Sequence, residues 1–380
     1  MVKDLFAPDY DIKRIILTIG AITGVNIQAG KTLIIMDEIQ ELHRGLSSLK
    51  YFCEDAPEYH VAVAGSLLGL TLHQGESYPV GKVNTLNMYP MTYEEFLLAR
   101  DKKQMLDILH MQNWNIIKGL RTLFTQYLRE YYLVGGMPEA VKKFIETNDS
   151  NSVREIQNEI LRAYDRDISK HAPTEQVMRI NQVWVSIPSQ LAKENKKFIY
   201  GVVKPGARAK EYELAIQWLI DAGLVYKVNR INTLGMPLKV HENIGAFKLF
   251  MLDCGLLGAM NKTPAPLLLL PNNENTNKGD FTENFVCSQM QTLRNVSINY
   301  YSKENSQQEL DFVIQLGTHI YPIEVKAEEN LQAKSLKTTL ANNPTLVGLR
   351  FSMSDYREQD RLTNVPLYGI NAYLETKKDI

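Results

Sequence analysis

Two short runs near the C-terminus constrain the fold of this 380-residue chain more than any other feature. Residues 309–314 read Glu-Leu-Asp-Phe-Val-Ile, and residues 323–326 read Ile-Glu-Val-Lys after one turn. Because side chains two apart on a strand share a face, Glu324 and Lys326 are predicted to project together beside Asp311, while the apolar residues between them point into a core. The pattern predicts a sheet with two acids and a lysine on neighbouring strands.

This group has the composition of a metal-dependent hydrolysis site. Two carboxylates, here Asp311 and Glu324, can hold a divalent cation such as Mg²⁺ against a phosphate. The ammonium group of Lys326 can orient or deprotonate the attacking water. The spacing leaves an alternative open, in which the same side chains form a solvated, salt-bridged face of an edge hairpin and contribute little to stability.

The ordered set Glu283, Asp311, Glu324 and Lys326 resembles the core of the PD-(D/E)XK nuclease superfamily, which has an acidic helix residue, then a strand aspartate, then Glu-x-Lys on the next strand. Glu283, in the run Asp-Phe-Thr-Glu-Asn-Phe-Val, fits the helical acid. The resemblance implies that these four residues are catalytic, that Asp311 and Glu324 bind Mg²⁺, and that DNA is the partner. It implies a PD-(D/E)XK-like α/β module in residues 270–380.

Composition sets bounds on the class of protein. The chain has 42 basic and 43 acidic residues, so a nucleic-acid surface must be a local patch and not a global field. Its three cysteines lie far apart without a C-x-x-C pair, which argues against a disulfide framework or a cysteine zinc site. Without a long apolar stretch or a signal peptide, the sequence predicts a cytoplasmic protein with no membrane partner.

Residues 101–265 are predicted to form a helical and winged-helix region. Apolar residues at helix-like intervals indicate a long helical stretch from Tyr93 to about Leu133. The run Gly135-Gly136-Met137-Pro138 is expected to break it. Further helices are predicted over residues 139–146 and 153–164.

The stretch from Ile187 to Arg230 resembles a helix-turn-helix followed by the first strand of a wing. Residues 187–192 are expected to open one helix and Lys210–Asp221 to form a second, with Gly223 as a left-handed stop. Leu224–Val228 reads as the strand. A basic cluster suited to phosphate contacts lies in this stretch: Lys193, Lys196, Lys197, Lys204, Arg208 and Lys210. A solvated helix face and loop is the alternative.

Residues 1–100 have the α/β rhythm of a partial P-loop-NTPase-type parallel sheet. Leu33–Met36 and Val61–Ala64 are short continuous apolar runs, as in buried parallel strands. Asp37 and Glu38 follow the first run and resemble a Walker B element, in which the aspartate holds magnesium through water and the glutamate polarises the attacking water.

These features, with the runs Ala64–Gly69, Tyr89–Phe96, Gly135–Pro138 and Gly279–Asn284, resemble a bacterial and archaeal family of AAA-type ATPases. Members of that family join an N-terminal ATPase domain to a C-terminal domain of unknown function with a nuclease-like end. The resemblance implies ATP as the cofactor of complete relatives, with Asp37, Glu38 and the sensor position Ser66 as its contacts.

A P-loop must read G-x-x-x-x-G-K-[ST] between a strand and a helix. Gly30-Lys31-Thr32 supplies the last three positions, but Val25 stands where the first glycine is needed, and the triplet runs straight into Leu33–Met36. We therefore expect an N-terminally truncated ATPase domain that binds ATP poorly or not at all. Lys82 stands where relatives often have arginine. An absent upstream strand further predicts an open edge or exposed face on Leu33–Met36.

Three functions remain open at this stage. The first is a remnant of an ATP-dependent, DNA-associated machine with a metal-dependent nuclease-like C-terminal module. The second is a non-catalytic nucleic-acid or protein-binding module that keeps the nuclease-like fold as a scaffold. The third is a non-functional truncated product.

Overall fold

The structure, a computed structural model, describes residues 5–6, 8–42, 44–65, 81–193, 196–269, 278–303, 308–329 and 331–377. The chain packs as two compact units. The first comprises residues 1–88 with 217–224, and the second comprises residues 89–216 with 225–380. Within the described ranges, no helix combines the length and the hydropathy needed to cross a bilayer.

The first unit alternates helix and strand in the order α1 (Ile12–Thr23), β1 (Leu33–Met36), α2 (Gly45–Asp55) and β2 (His60–Val63). The two strands pair in parallel, as predicted. The connecting helix α2 buries Leu46, Leu49 and Phe52, which recur at intervals of three residues and so lie on one face. The predicted strand, crossover helix and strand are therefore confirmed.

One face of β1 is exposed. Ile34 and Met36 are buried, whereas Leu33 is 56% exposed and Ile35 is 68% exposed. In the described part of the chain, β1 pairs only with β2. The exposed face predicted for this strand is thus present, and it leaves two large apolar side chains in water.

The second unit begins with helices packed around a mostly apolar interior. Those that precede its sheet are α3 (Tyr93–Ala99), α4 (Lys103–Met111), α5 (Trp114–Gly119), α6 (Arg121–Val134), α7 (Pro138–Thr147), α8 (Ser150–His171), α9 (Thr174–Leu191) and α10 (Tyr200–Val203). The next helix, α11 (Ala209–Asp221), is divided, since its residues from 217 onward are grouped with the first unit. The helical stretch expected from Tyr93 to about Leu133 is confirmed, and it consists of the four helices α3 to α6. Asp101 and Gln112 adopt left-handed backbone with φ of 57° and 50°, a conformation that ends a right-handed helix.

The predicted helix-turn-helix is only partly correct. Residues 187–191 end α9 and do not open a new helix, because the buried positions Ile180, Val183 and Trp184 already continue the apolar face upstream. The second predicted helix is present as α11, and Gly223 adopts the expected left-handed φ of 71°. A strand begins at Val225, one residue after the prediction.

A mixed eight-stranded sheet forms the centre of the second unit, in the spatial order β4-β3-β5-β6-β7-β8-β10-β9. Its strands are β3 (Val225–Ile231), β4 (Glu242–Met251), β5 (Val296–Ser302), β6 (Glu309–Leu316), β7 (His319–Val325), β8 (Gly348–Ser352), β9 (Arg357–Gln359) and β10 (Leu362–Pro366). Strands β5, β6 and β7 form an antiparallel meander, and β8 runs parallel to β7. Strand β3, predicted as the first strand of a wing, pairs with β4 and joins this same sheet through a parallel pairing with β5.

The remaining helices flank the sheet: α12 (Cys254–Met260), α13 (Ala265–Leu269), α14 (Lys278–Gln291), α15 (Lys334–Asn342) and α16 (Ile370–Glu375). From α14 onward the order is helix, three strands, helix, three strands and helix. Strands β6 and β7 are central, so the alternative of a solvated edge hairpin is wrong. The predicted junction near residue 270 lies outside the described residues.

Candidate functional site

The predicted aspartate and Glu-x-Lys motif meet on neighbouring central strands. Phe312 of β6 pairs with Ile323 of β7 in antiparallel register. The next pair along the ladder therefore brings Asp311 opposite Glu324, with both side chains on one face. The Asp311 carboxylate also accepts a hydrogen bond from the Val325 N–H at 2.7 Å, which fixes its position against β7.

The predicted helical acid, Glu283, belongs to the same group. It lies on α14 with a side chain only 9% exposed. Its Oε1 lies 2.7 Å from the Nζ of Lys196, while its Oε2 is buried and finds no hydrogen-bond partner in the part of the chain that the structure describes. Burial and then the charges of Glu283 and Glu324 raise the pKa of Asp311 to about 8. Glu283 and Glu324 therefore lie close enough to Asp311 for their charges to oppose its ionisation.

Lysines neutralise part of the negative charge of these acids. Lys326 Nζ lies 2.6 Å from Glu324 Oε1. Burial alone would lower the pKa of Lys326, but the hydrogen bond and charge of Glu324 outweigh it and leave that pKa raised. Glu324 and Lys326 of the predicted Glu-x-Lys motif are therefore in direct contact.

Lys248 is a member of the group that the sequence did not single out. It lies on β4 with 1% exposure, and its Nζ lies 2.8 Å from Glu309 Oε1 and 4.8 Å from the centre of the Tyr300 ring. Burial opposes its charge, yet the carboxylates of Glu283, Glu309 and Asp311 keep its pKa raised. In the sequence, the burial of Lys248 is indicated only by the apolar residues on both sides of it in a strand-forming run.

The charges around the site do not balance. Lys196, Lys248 and Lys326 are the three ammonium groups. The five carboxylates are those of Asp280, Glu283, Glu309, Asp311 and Glu324. Burial raises the pKa of Asp280 to about 7, against the nearby charge of Lys196, so protons compensate part of the deficit in the metal-free chain.

The chemistry of these donors fits a divalent cation. Carboxylate oxygens are the ligands that Mg²⁺ prefers. No three His, Cys, Asp or Glu side chains among the described residues are arranged to enclose a metal by themselves. Mg²⁺ is commonly held by one or two carboxylates together with waters and substrate phosphates, and Asp311 and Glu324 suit that arrangement.

The row of polar residues continues across the sheet beyond Glu324. Arg350 of β8 pairs in register with Glu324, and Asn364 of β10 pairs with Arg350. Arg350 is 1% exposed and donates to Asn364 Oδ1 at 2.9 Å. These two residues were missed because neither stands in a motif, and only the strand register connects them to the acids.

The predicted basic cluster divides into two parts. Lys197, Lys204, Arg208 and Lys210 are exposed and Lys193 is half-buried, so all five reach the surface. Lys196 is 7% exposed and ion-paired with Glu283. Its assignment as a surface phosphate contact is corrected, since its ammonium group faces the carboxylates of the site.

At the N-terminal end, Asp37 and Glu38 directly follow β1, as predicted for a Walker B element. Asp37 is exposed, and its Oδ1 accepts a hydrogen bond from the Glu38 N–H at 3.0 Å. Glu38 adopts a left-handed φ of 50°. The Ala64 N–H donates to Met36 O at 2.9 Å, which aligns the ends of β1 and β2. Ser66 lies outside the described residues.

The triplet Gly30-Lys31-Thr32 lies in a turn that leads into β1, and no helix follows it. Thr32 Oγ1 accepts a hydrogen bond from the Gln28 N–H at 2.9 Å, so the hydroxyl is used inside the turn. Lys82 lies 3.0 Å from Glu54 of α2, and that hydrogen bond raises the pKa of Lys82. Neither lysine has the strand, loop and helix context of a phosphate cradle.

Three family models match successive parts of the chain. Residues 4–97 match an AAA domain. Residues 125–267 match a domain of unknown function (DUF8612), and residues 278–370 match another domain of unknown function (DUF4143). The N-terminal part resembles AAA-type ATPases. At that level the expectation from the sequence is confirmed.

Among solved structures, a Walker-type ATPase of Pyrococcus abyssi is similar to this chain at 13% sequence identity. The similarity covers 66% of this chain and 67% of that chain, with a TM-score of 0.39. A comparison with curated proteins finds no match.

Proposed function

We propose that this chain, an AAA-ATPase-like protein, carries a metal-dependent nuclease-like site in its C-terminal module that cleaves DNA phosphodiesters. The observation that carries the proposal is the Asp311 carboxylate beside Glu283 and Glu324, with its pKa raised to about 8 by burial and by these two charges. Such a strongly perturbed acid next to a lysine is a feature of functional sites. The helix, three-strand, helix, strand order of a PD-(D/E)XK-like module supports the same proposal.

In this proposal the residues have separate roles. Asp311 and Glu324 would hold Mg²⁺, which supplies Lewis acidity and lowers the pKa of a bound water. Lys326, 2.6 Å from Glu324, keeps its ammonium group and would orient the attacking water by donating a hydrogen bond to it. Glu283 completes the negative charge on the helix side.

DNA would be held by the exposed part of the basic cluster. Lys197, Lys204, Arg208 and Lys210 are exposed and lie in the segment that also supplies Lys196 to the site. Contacts between lysine or arginine and phosphates position a duplex without reading its sequence. The proposal therefore includes sequence-independent binding that weakens steeply with salt.

We further propose that the first unit binds ATP poorly. Asp37 and Glu38 reach a nucleotide only through magnesium, and the Gly30-Lys31-Thr32 turn lacks the following helix that a P-loop requires.

Nicking of a supercoiled plasmid in the presence of Mn²⁺ or Mg²⁺ tests the nuclease activity. Asp311→Asn and Glu324→Gln are expected to reduce the rate by at least about 10²-fold, as the loss of a catalytic group does. Lys337→Met and Asp360→Asn are matched controls, since both residues are exposed. Equal nicking by wild type and site variants, or none by any of them, would falsify the proposal.

A second function, a non-catalytic DNA-binding module, is favoured by the ion pairs that already occupy Glu283 and Glu324. For that function, DNA affinity survives Asp311→Asn without any cleavage. It falls when Lys197, Lys204 and Arg208 are reversed to glutamate, and it decreases with rising salt.

A further inference from the structure

Among the six lysine and arginine residues of the basic cluster, all of which the structure describes, Lys196 is the one that is buried. Its side chain is 8% exposed, and its Nζ lies 2.7 Å from Glu283 Oε1 and 3.8 Å from Asp280 Oδ1. Lys197, its immediate neighbour, is exposed. The ammonium group of Lys196 therefore lies beside α14, where it neutralises part of the negative charge of Glu283 and Asp280.

The backbone around Lys196 indicates that this inward position is held by specific contacts. Lys196 adopts a left-handed φ of 49°, which is unfavourable for a residue with a side chain. The following Phe198 is buried, and its N–H donates to Phe247 O of β4 at 2.8 Å. Strain of this kind persists only where surrounding contacts determine it.

Glu283 itself is incompletely satisfied by this lysine. Its Oε2 is buried and has no hydrogen-bond partner among the described residues, although a buried carboxylate oxygen without a partner is costly. The site thus offers a buried acceptor beside Asp311 that Lys196 does not fill.

We propose that Lys196 is a built-in competitor of the divalent cation. In the metal-free chain its ammonium group serves as the counter-ion of Glu283, and a cation bound by Asp311 and Glu324 displaces it from that position. Like charges repel strongly in a buried site, so the lysine and the metal weaken each other's hold on the carboxylates. The inference rests on the proposed metal site and adds its regulation.

Calorimetric titration of the metal-free chain with Mn²⁺ tests this competition. Lys196→Met keeps the length of the side chain and removes its charge. It is expected to bind Mn²⁺ about tenfold more tightly than wild type, within the usual range of coupling between two occupants of one protein. Lys337→Met, at an exposed lysine outside the site, is the matched control and should bind as wild type does, whereas Asp311→Asn should not bind.

Unchanged or weaker binding by Lys196→Met overturns the competition and leaves the metal site intact, provided that Asp311→Asn abolishes binding. If neither wild type nor Lys196→Met binds Mn²⁺, the proposed metal site fails and the competition fails with it. The two failures are therefore distinguishable.

A second measurement uses the wild-type chain, in case Lys196→Met does not fold. Lysines are acylated with a small amine-reactive ester, with and without Mn²⁺, and the modified peptides are quantified by mass spectrometry. Lys196 should be protected without metal and become reactive when Mn²⁺ is added, while Lys197 reacts equally in both samples. Continued protection of Lys196 at saturating Mn²⁺ overturns the inference.

Discussion

The carboxylate of Asp253 accepts a hydrogen bond from the Gly136 N–H at 2.6 Å. The same carboxylate caps helix α12 by accepting from the Leu256 N–H at 2.8 Å. Asp253 is 1% exposed, and burial raises its pKa to about 6 despite these donors. One buried side chain thus ties the glycine turn after α6 to the start of α12.

Asp253→Ala is expected to lower the free energy of unfolding by about 3 kcal/mol, because it leaves two buried N–H groups without an acceptor. Urea unfolding followed by circular dichroism measures the change. Asp107→Ala serves as the control, since the Asp107 carboxylate is 47% exposed and makes only an i,i+4 pair with Lys103. That control should change stability by less than about 0.5 kcal/mol, and an equal loss in both variants contradicts the role of Asp253.

Gly136→Ala is expected to destabilise the chain by more than about 3 kcal/mol or to prevent folding. A Cβ at this position would lie 2.1 Å from Met91 O. The backbone at Gly136 cannot move away from Met91 without breaking the hydrogen bond that the Met91 N–H donates to Gly136 O at 2.7 Å. Gly119→Ala, at the end of helix α5 with no atom within 4 Å of the added carbon, is the control and should be neutral or slightly stabilising. Thermal unfolding distinguishes the two variants.

Local features of the fold could be predicted from the sequence because local chemistry determines them. The bounds of β1 and β7 follow from their apolar pattern, and the stop at Gly223 follows from the freedom of glycine at positive φ. The Gly135-Gly136 run was predicted to break a helix. The sequence could not show that Gly136 makes room for Met91, since that contact joins distant parts of the chain.

The composition of the candidate site was predictable only in part, for the same reason. Asp311 and Glu324 were predicted together because strand alternation places them. Lys196 and Lys197 are adjacent in the same basic run, yet only Lys196 is buried, because it pairs with Glu283. The sequence could not show this pair, since the two residues are 87 positions apart. Lys248 is likewise assigned to the site only by the contact of its ammonium group with Glu309 of β6. Long-range pairing of charges is a property of the folded sheet and not of a sequence window.

The exposed face of β1 predicts self-association of the chain. Replacing Leu33 and Ile35, which are 56% and 68% exposed, with lysine should reduce aggregation without loss of stability. Light scattering during concentration of the protein measures the effect. The control is Ile34→Lys on the same strand, which should unfold the first unit because Ile34 is only 5% exposed. Unchanged scattering by the double variant would count against this face as the cause.

Lys31→Ala is expected to leave nucleotide affinity unchanged. In a P-loop the corresponding lysine contacts the phosphates, but Lys31 lies in a turn that enters a strand. Titration with a fluorescent ATP analogue, in the presence of magnesium, measures the affinity of wild type and variant. A loss of more than about tenfold in Lys31→Ala would show that this turn binds phosphate after all.

The stability of the metal-free chain should fall as pH rises from weakly acidic to weakly basic. The pKa of Asp311 is raised from 3.8 to about 8, first by burial and then by Glu283 and Glu324. Between these values the folded chain keeps a proton that the unfolded chain has released. The stabilisation by this proton is therefore fully present below the pKa of 3.8 that Asp311 has in the unfolded chain, and it is lost as pH rises through about 8. Over this range the free energy of unfolding falls by at most about 1.4 kcal/mol per pH unit for one proton.

Asp311→Asn removes the titrating group but keeps an oxygen that can accept from the Val325 N–H, which lies 2.7 Å from the wild-type carboxylate. Urea unfolding at several pH values, with a chelator present, should show wild type losing stability relative to this variant as pH rises. Asp360→Asn, whose carboxylate is 90% exposed, should follow the wild-type curve. Parallel curves for wild type and Asp311→Asn would mean that the Asp311 carboxyl is already ionised at low pH, and that the acids of the site do not oppose one another.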